Sequence, residues 1–475
     1  MRERSSRNAM PWHLGLALLW AARLTCIFNY PLFGIVVSGP SANNFLNMSM
    51  QVTYLVVVIG IGLMALRAPR LAHAVPTKGA TAALFCGVVC AECASALQGP
   101  YAIAAYVAGG LLVGAGDALF SVLWGRFFVN GKLVDAKTQM PVCLAIGVVL
   151  YFAGTLLPRP LACALLLAYP LVSGYALSRG LAPRLAPEPS FSEGAYRHAA
   201  SKLWPSLICV MVCALVFGLI GQIALTAPVE RGAEHIIPPM GIALAGFFSC
   251  LLAFGIRAKV TFDGVYRGVF AGASVGLFLL PFLDENYSVL FNLFVICAYY
   301  LMEIYYFYYA VEIVQRFRIS TYAVYGLSHG LLCAMTLLGI FLSVSVFSDS
   351  QYGTVQLVLI AFVSAYLLGM GLLVMLRRRA VSSRDDRLAP DDRGAEEGES
   401  AADLFSRDRA FTNRETEIFA LLVTGRTSTF IGNAIGLSTS TVKGHIQSIY
   451  RKCGVHNRQE LIDQFEAWKE SRRGA

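Results

Sequence analysis

Charge is scarce along most of this chain. Asp, Glu, Lys and Arg make up 14% of its 475 residues, against 56% apolar, and the mean hydropathy is +0.60. No receiver-like α/β pattern, kinase motif or phosphate loop is present. No nucleophile stands in a recognisable relation to a base, which argues against an enzyme. Twelve cysteines occur, but no paired C-x-x-C framework for zinc. Eleven of the twelve lie in apolar stretches. Cys86, Cys90 and Cys93 share one helical face, as do Cys209 and Cys213. In such surroundings free cysteine behaves as a small apolar residue, and no metal or cofactor is expected. A cleaved signal peptide is not expected either. The first apolar stretch, 12–37, is too long for one and contains Arg23 and Pro31.

What is present instead is a series of long apolar stretches before residue 380. Their approximate ranges are 12–37, 50–66, 79–97, 101–125, 140–157, 161–178, 204–226, 237–256, 264–283, 287–312, 322–346 and 352–376. Each can cross a hydrocarbon core of ~30 Å, which takes ~20 helical residues. The expectation is an all-α polytopic membrane bundle of twelve transmembrane helices. Lys and Arg alternate sharply between its loops. The N-terminus, alternate loops and Arg377–Arg379 hold 21 of them, and the remaining loops hold only Arg159 and Arg231. Both termini are therefore expected on the cytoplasmic side of a bacterial cytoplasmic membrane.

Ionisable groups inside spans cost on the order of 2.5–3.5 kcal/mol each at mid-bilayer on insertion scales, so each needs a partner or a wet cavity. They are Arg23, Glu92, Asp117, Glu303, Glu312 and His329. Arg23 is expected to form a buried ion pair with Asp117 or Glu92, the alternative being that it anchors an anionic ligand. Glu303 shares a helical face with Tyr299 and Tyr306, and an aromatic-lined carboxylate suits a cationic or hydroxylated ligand. Arg23, Glu92, Asp117, Tyr299, Glu303 and Tyr306 are the candidate ligand-binding residues. Gly264, Gly268, Gly272 and Gly276 stand at strict i+4 spacing, and Gly110 with Gly114 make a similar pair. Such ladders are expected to let helices pack closely.

Residues 380–408 carry nine acids against four bases and read as a flexible, self-repelling linker of roughly 30 Å. Residues 409–475 differ again. Thr412 and Glu415 form a capping-box pattern at the start of a helix ending near Thr424, with Gly425 as a left-handed stop. A second helix is expected over 428–435, a third from the Ser438 cap to Gly454, and a fourth from about Asn457. Leu437 and Val442 suit a hydrophobic staple. Val442, Ile446, Ile449 and Cys453 give the third helix a core face, and Ser440, Lys443, Gly444, Gln447 and Arg451 the opposite one. That face offers cations for phosphate, and Gln or Lys for base edges, as a helix in a major groove requires. Ten Lys/Arg against six Asp/Glu leave this segment at +4, the sign that suits nucleic acid.

The segment resembles the LuxR-type helix-turn-helix. The resemblance rests on Thr412, Arg414, Glu415, Glu417, Leu422, Gly425 and Ile431, then on S-x-x-T-V-K-x-H from Ser438 and I-Y-x-K-x-x-V-x-x-R from Ile449. It implies a small four-helix domain that binds double-stranded DNA, usually as a homodimer. The candidate DNA-binding residues are Ser440, Thr441, Lys443, Gly444, Gln447, Arg451, Lys452 and Arg458, and the resemblance implies that those at Lys443, Gly444 and Gln447 face the groove. Phe430 stands where the family usually has Glu, and Thr429 where it often has Lys. The apolar part, six spans, a basic loop over 179–203 and six more, resembles the major facilitator architecture. The family's basic signature between spans two and three survives only as Gly62, Arg67 and Arg70. Together these imply a membrane-bound one-component transcriptional regulator that senses a small ligand or a membrane signal, with a secondary transporter carrying a regulatory DNA-binding tail as the alternative.

Overall fold

In the computed structural model, residues 12–28, 32, 41–67, 77–131, 133–181, 193–226, 236–255, 262–279, 285–346, 359, 362–373, 401–423, 427–435 and 437–473 are described. All regular structure among them is helical. The chain divides into two compact units, Met1–Met375 and Leu376–Ala475.

The first unit contains α1 (Gly15–Phe28), α2 (Ser41–Arg67), α3 (Thr77–Ala94), α4 (Gly99–Val129), α5 (Leu133–Thr155) and α6 (Arg159–Leu181). It continues with α7 (Glu193–Thr226), α8 (Ile237–Cys250), α9 (Phe262–Leu279), α10 (Glu285–Phe317), α11 (Thr321–Val346) and α12 (Phe362–Leu373). A described helix thus lies in every expected apolar stretch. Nine of the described helices are long and apolar enough to cross a membrane, and α1 and α12 are shorter apolar helices. Pro141, Pro170 and Pro205 lie inside α5, α6 and α7, a placement that membrane helices tolerate.

The packing places α4 against both α2 and α3, and α11 against both α2 and α7. Helix α10 rests on α7 and α8, and α1 on α5 and α6. Two glycine ladders behave differently. A Cβ at Gly110 or Gly114 would collide with the backbone of α2, at the Leu46 and Met50 carbonyls, so α4 and α2 meet backbone to backbone. In α9, by contrast, a Cβ at Gly268 would meet open space and one at Gly272 only the Phe294 ring. The i+4 ladder of α9 therefore marks no tight backbone crossing at these two positions.

Polar ties lie at both ends of α4. At its start, Arg159 donates to the Ser95 hydroxyl at 2.9 Å, bringing together the turns after α3 and before α6. At its far end, the Gln315 amide of α10 donates to the carbonyls of Val129 and Gly131, at 2.7 and 3.0 Å. Arg126 donates there to the Tyr322 hydroxyl at 2.7 Å, and the Ser320 amide donates to Tyr196 at 3.0 Å. These bonds join α4 and α7 to α10 and α11 beside the loops richest in Lys and Arg.

The second unit holds α13 (Ala401–Asp408), α14 (Asn413–Val423), α15 (Ser428–Ile435), α16 (Thr439–Cys453) and α17 (Arg458–Arg473). Its core gathers Phe405, Ile418, Phe419, Ile431, Val442, Ile449 and Leu461. Residues 401–408 differ from the linker expected there. They form a helix, because Phe405 is wholly buried against Phe419, Phe465, Phe411 and Trp468 at 5.2–6.3 Å. Trp468 also donates to Asp408 at 2.9 Å. Gly425, expected as a helix stop, lies outside the described residues.

Candidate functional site

The first site is the exposed face of α16. Ser438 caps this helix, its Oγ accepting from the Thr441 amide at 3.1 Å. Gly454 ends it in the left-handed region at φ 68°, which costs glycine little. Val442, Ile449 and Cys453 are buried and Ile446 is half-buried, so the helix is fixed by one side. The other side presents Ser440, Thr441, Lys443, Gly444, Gln447 and Arg451, all exposed. Among the described residues, a Cβ at Gly444 would have nothing within 4 Å. The face is a short polar strip with two cations, one amide and one stretch of bare backbone.

Lys452 and Arg458 are placed otherwise. Lys452 Nζ donates to Glu415 Oε2 at 2.6 Å and to the Ala410 carbonyl at 2.8 Å. Arg458 donates to the Leu422 carbonyl at 2.8 Å, at the end of α14. Both cations tie helices of the domain to one another. Glu415 is the hub. Its carboxylate accepts from the Thr412 amide and from Ser448, each at 2.7 Å, while its own amide donates to Thr412 Oγ1 at 3.3 Å. Burial disfavours its charge, but the bonds from Lys452, Thr412 and Ser448 outweigh that and hold the carboxyl down at about 2.

The second site is a cavity of about 70 Å³ in the membrane unit, room for a few waters or one small molecule. Arg23 of α1 and Asp117 of α4 meet there, Nε to Oδ2, at 3.4 Å. The Arg23 guanidinium lies over the rings of Trp20 and Tyr54, at 5.3 and 5.5 Å. Glu303 of α10 lines the same cavity and is buried. Three of the six expected ligand residues therefore converge.

The other three do not line this cavity. Glu92 lies beside Cys163 and Arg159 of α6. The Tyr299 ring stacks on Phe217 at 4.7 Å. Tyr306 shares a hydrogen bond of 2.6 Å with Ser328. Their places are taken by Trp20, Trp124, Phe307, Tyr325 and His329. Spacing carried a signal for part of this wall. Asp117, Ser121, Trp124 and Phe128 fall at i, i+4, i+7 and i+11 on α4, and all four line the cavity. His329 stacks on Phe307 at 4.1 Å, and its Nδ1 lies 2.9 Å from the Tyr54 hydroxyl.

Comparison with known proteins separates the two units in the same way. The family described as bacterial regulatory proteins, luxR family, matches residues 409–465. The uncharacterized response regulatory protein YgeK of Escherichia coli K12 is 41% identical over 64 residues, 14% of this chain and 44% of that protein. The HTH-type transcriptional regulator MalT of Yersinia pestis (strain Pestoides F) is 34% identical over 60 residues, 13% of this chain and 7% of that protein. The chain thus spans less than half the length of these curated relatives.

Among solved structures, a bacterial homologue of the iron transporter ferroportin, outward-facing with soaked iron, aligns at a TM-score of 0.60 and 13% identity. It covers 77% of this chain and 98% of its own. The human organic anion transporter MFSD10 (TETRAN) aligns at 0.54 and 12% identity, over 76% of this chain and 97% of its own. The Major Facilitator Superfamily transporter FucP aligns at 0.50 and 13% identity, over 76% and 97%. At such identities the likeness is one of fold. Residues 409–465 are a LuxR-family helix-turn-helix domain, carried on one chain with a helical membrane unit of major-facilitator-like fold.

Proposed function

We propose that this chain is a membrane-bound one-component transcriptional regulator. In this reading twelve spans place both termini in the bacterial cytoplasm. The membrane unit senses a small ligand, and the LuxR-type domain binds promoter DNA, as a homodimer, through Ser440, Thr441, Lys443, Gly444, Gln447 and Arg451. One observation carries the reading. A DNA-reading domain with an exposed basic helix face is covalently joined to a transporter-like unit that buries charges around a cavity. An inert anchor has no use for buried charges that cost several kcal/mol to insert. A ligand with different affinities for two arrangements of that unit shifts their populations. Because a helix-turn-helix dimer must match its half-site spacing, dimer geometry is the natural output.

The orientation is supported by the Lys/Arg bias and by the clustering of basic loops at one end of α4. Reporter fusions after residues 200 and 379 test it. Both should report cytoplasmic, and an outside signal after residue 379 would end the reading. Residues 401–475 should also bind duplex DNA with a marked salt dependence, since phosphate contacts release counterions.

The second reading, a secondary transporter with a regulatory tail, draws on the same cavity. Substrate flux with residues 401–475 deleted separates the two. Undiminished flux by the truncated chain favours transport.

A further inference from the structure

We propose that the cavity of the membrane unit takes a small primary amino alcohol, its ammonium on Glu303 and Asp117 and its hydroxyl on Trp124. The proposal rests on the reading of that unit as a ligand-binding sensor and assigns the ligand's chemical class.

The charges do not balance. Arg23 supplies one positive charge, and Asp117 and Glu303 supply two negative ones. Arg23 meets Asp117 Oδ2 through its Nε and lies over the rings of Trp20 and Tyr54. Asp117 is 5% exposed, and its Oδ1 has no hydrogen-bond partner among the described residues. Glu303, 4% exposed, has no hydrogen bond or ion pair at contact distance among the described residues. Two residues that carry negative charge when ionised therefore line one small cavity, and neither Asp117 Oδ1 nor Glu303 has a hydrogen-bond donor among the described residues. A buried carboxylate demands a paired, hydrogen-bonded cation. A primary ammonium brings three N–H donors and one positive charge, which matches that demand.

The wall sets the rest of the ligand. Trp20 and Trp124 present rings to the cavity, and aromatic faces attract cations. Trp124 is 2% exposed, and its indole N–H has no acceptor among the described residues. That donor calls for an oxygen on the ligand. Ligand acids are disfavoured, because two carboxyl groups and a single guanidinium line the cavity. A metal ion is disfavoured too. Among the described residues no three His, Cys, Asp or Glu side chains are grouped to hold one.

The test uses the full-length protein in lipid nanodiscs and reads intrinsic tryptophan fluorescence. Three near-isosteric probes separate the features: 3-aminopropan-1-ol, 1,3-propanediol without the charge, and butan-1-amine without the oxygen. The amino alcohol should give a saturable change. The diol should bind at least about tenfold more weakly, since a charged hydrogen bond is lost. The amine should bind about two- to tenfold more weakly, the range for one neutral hydrogen bond. Trp124→Phe should abolish the preference for the amino alcohol over the amine. Glu303→Gln should weaken both amines at least about tenfold. If Glu303→Gln does not fold, the probe preferences of the parent protein still decide. Equal affinity for diol and amino alcohol would overturn the proposal. So would preference for 3-hydroxypropanoate or for manganese(II), or no saturable response to any amine. Binding without a transcriptional response leaves the site standing and removes the sensor. A ligand-controlled transcriptional response without amine binding does the reverse.

Discussion

Lys452 of α16 donates to Glu415 of α14 at 2.6 Å, from one turn beyond the exposed strip that carries Lys443 and Gln447. Two lysines on one helix thus stand in opposite settings, Lys452 bonded within the domain and Lys443 exposed. Lys452→Ala leaves the Glu415 carboxylate short of its cation and should destabilise the isolated domain, residues 401–475, by about 1–3 kcal/mol. Lys443→Ala should change stability by less than about 0.5 kcal/mol, as for other exposed positions. It should weaken DNA binding by about 1–3 kcal/mol if a base contact is lost. Urea unfolding and DNA titration of both variants check this. Equal stability losses would contradict the assignment.

Acid should act through Glu415. Its carboxyl is held at about 2 in the folded domain, against about 4.3 for a free glutamate. A depressed value means that the stabilisation is complete above about 4.5 and fades as pH falls from there towards about 2. The stability of residues 401–475 should therefore drop across that window. In Glu415→Gln the drop should be smaller and the starting stability lower. Parallel curves for the two proteins would show that other groups govern the acid transition.

Gly444 interrupts the exposed face of α16, and nothing within 4 Å would oppose a Cβ there. Glycine inside a helix costs roughly 0.5–1 kcal/mol relative to alanine. Gly444→Ala should accordingly stabilise residues 401–475 by about that amount. A rise in melting temperature with a fall in DNA affinity would identify close backbone approach to DNA at this residue. No gain in stability would contradict the free space around it.

In the membrane unit, breaking the Arg23–Asp117 pair from one side leaves a buried charge alone. Arg23→Leu should cost more stability than the double change Arg23→Leu with Asp117→Leu, because removing one partner of a buried pair costs about 3–5 kcal/mol and removing both can be near neutral. Thermal unfolding in nanodiscs measures the difference. A double variant no more stable than the single one would show that the pair is not coupled.

Much of this was legible in the sequence, for physical reasons that differ by region. The exposed face of α16 could be read because the stretch from Ser438 to Gly454 carries the cap, the stop and two chemically opposite faces of one helix. Arg23, Asp117 and Glu303 stood out because ionisable residues are rare in apolar spans. Tyr299 and Tyr306 misdirected the reading of the cavity. Face arithmetic places a residue on a side of its helix, not against a neighbour, and Phe217 and Ser328 took them. Trp124 and Tyr325 were inconspicuous because aromatic residues abound in such spans. Helix α13 was hidden by its acidic surroundings, although Phe405 supplies its buried anchor.

The central claim is that one chain couples the membrane cavity to occupancy of DNA. Crosslinking followed by sequencing of bound DNA in cells measures that occupancy. It should be run on the parent, on Lys443→Ala with Gln447→Ala, and on Glu303→Gln, at matched membrane levels. The account predicts discrete sites in the parent and their loss in the Lys443/Gln447 variant. It predicts altered occupancy of the same sites in Glu303→Gln, whose DNA-binding domain is unchanged. Identical site occupancy in the parent and Glu303→Gln would contradict the coupling.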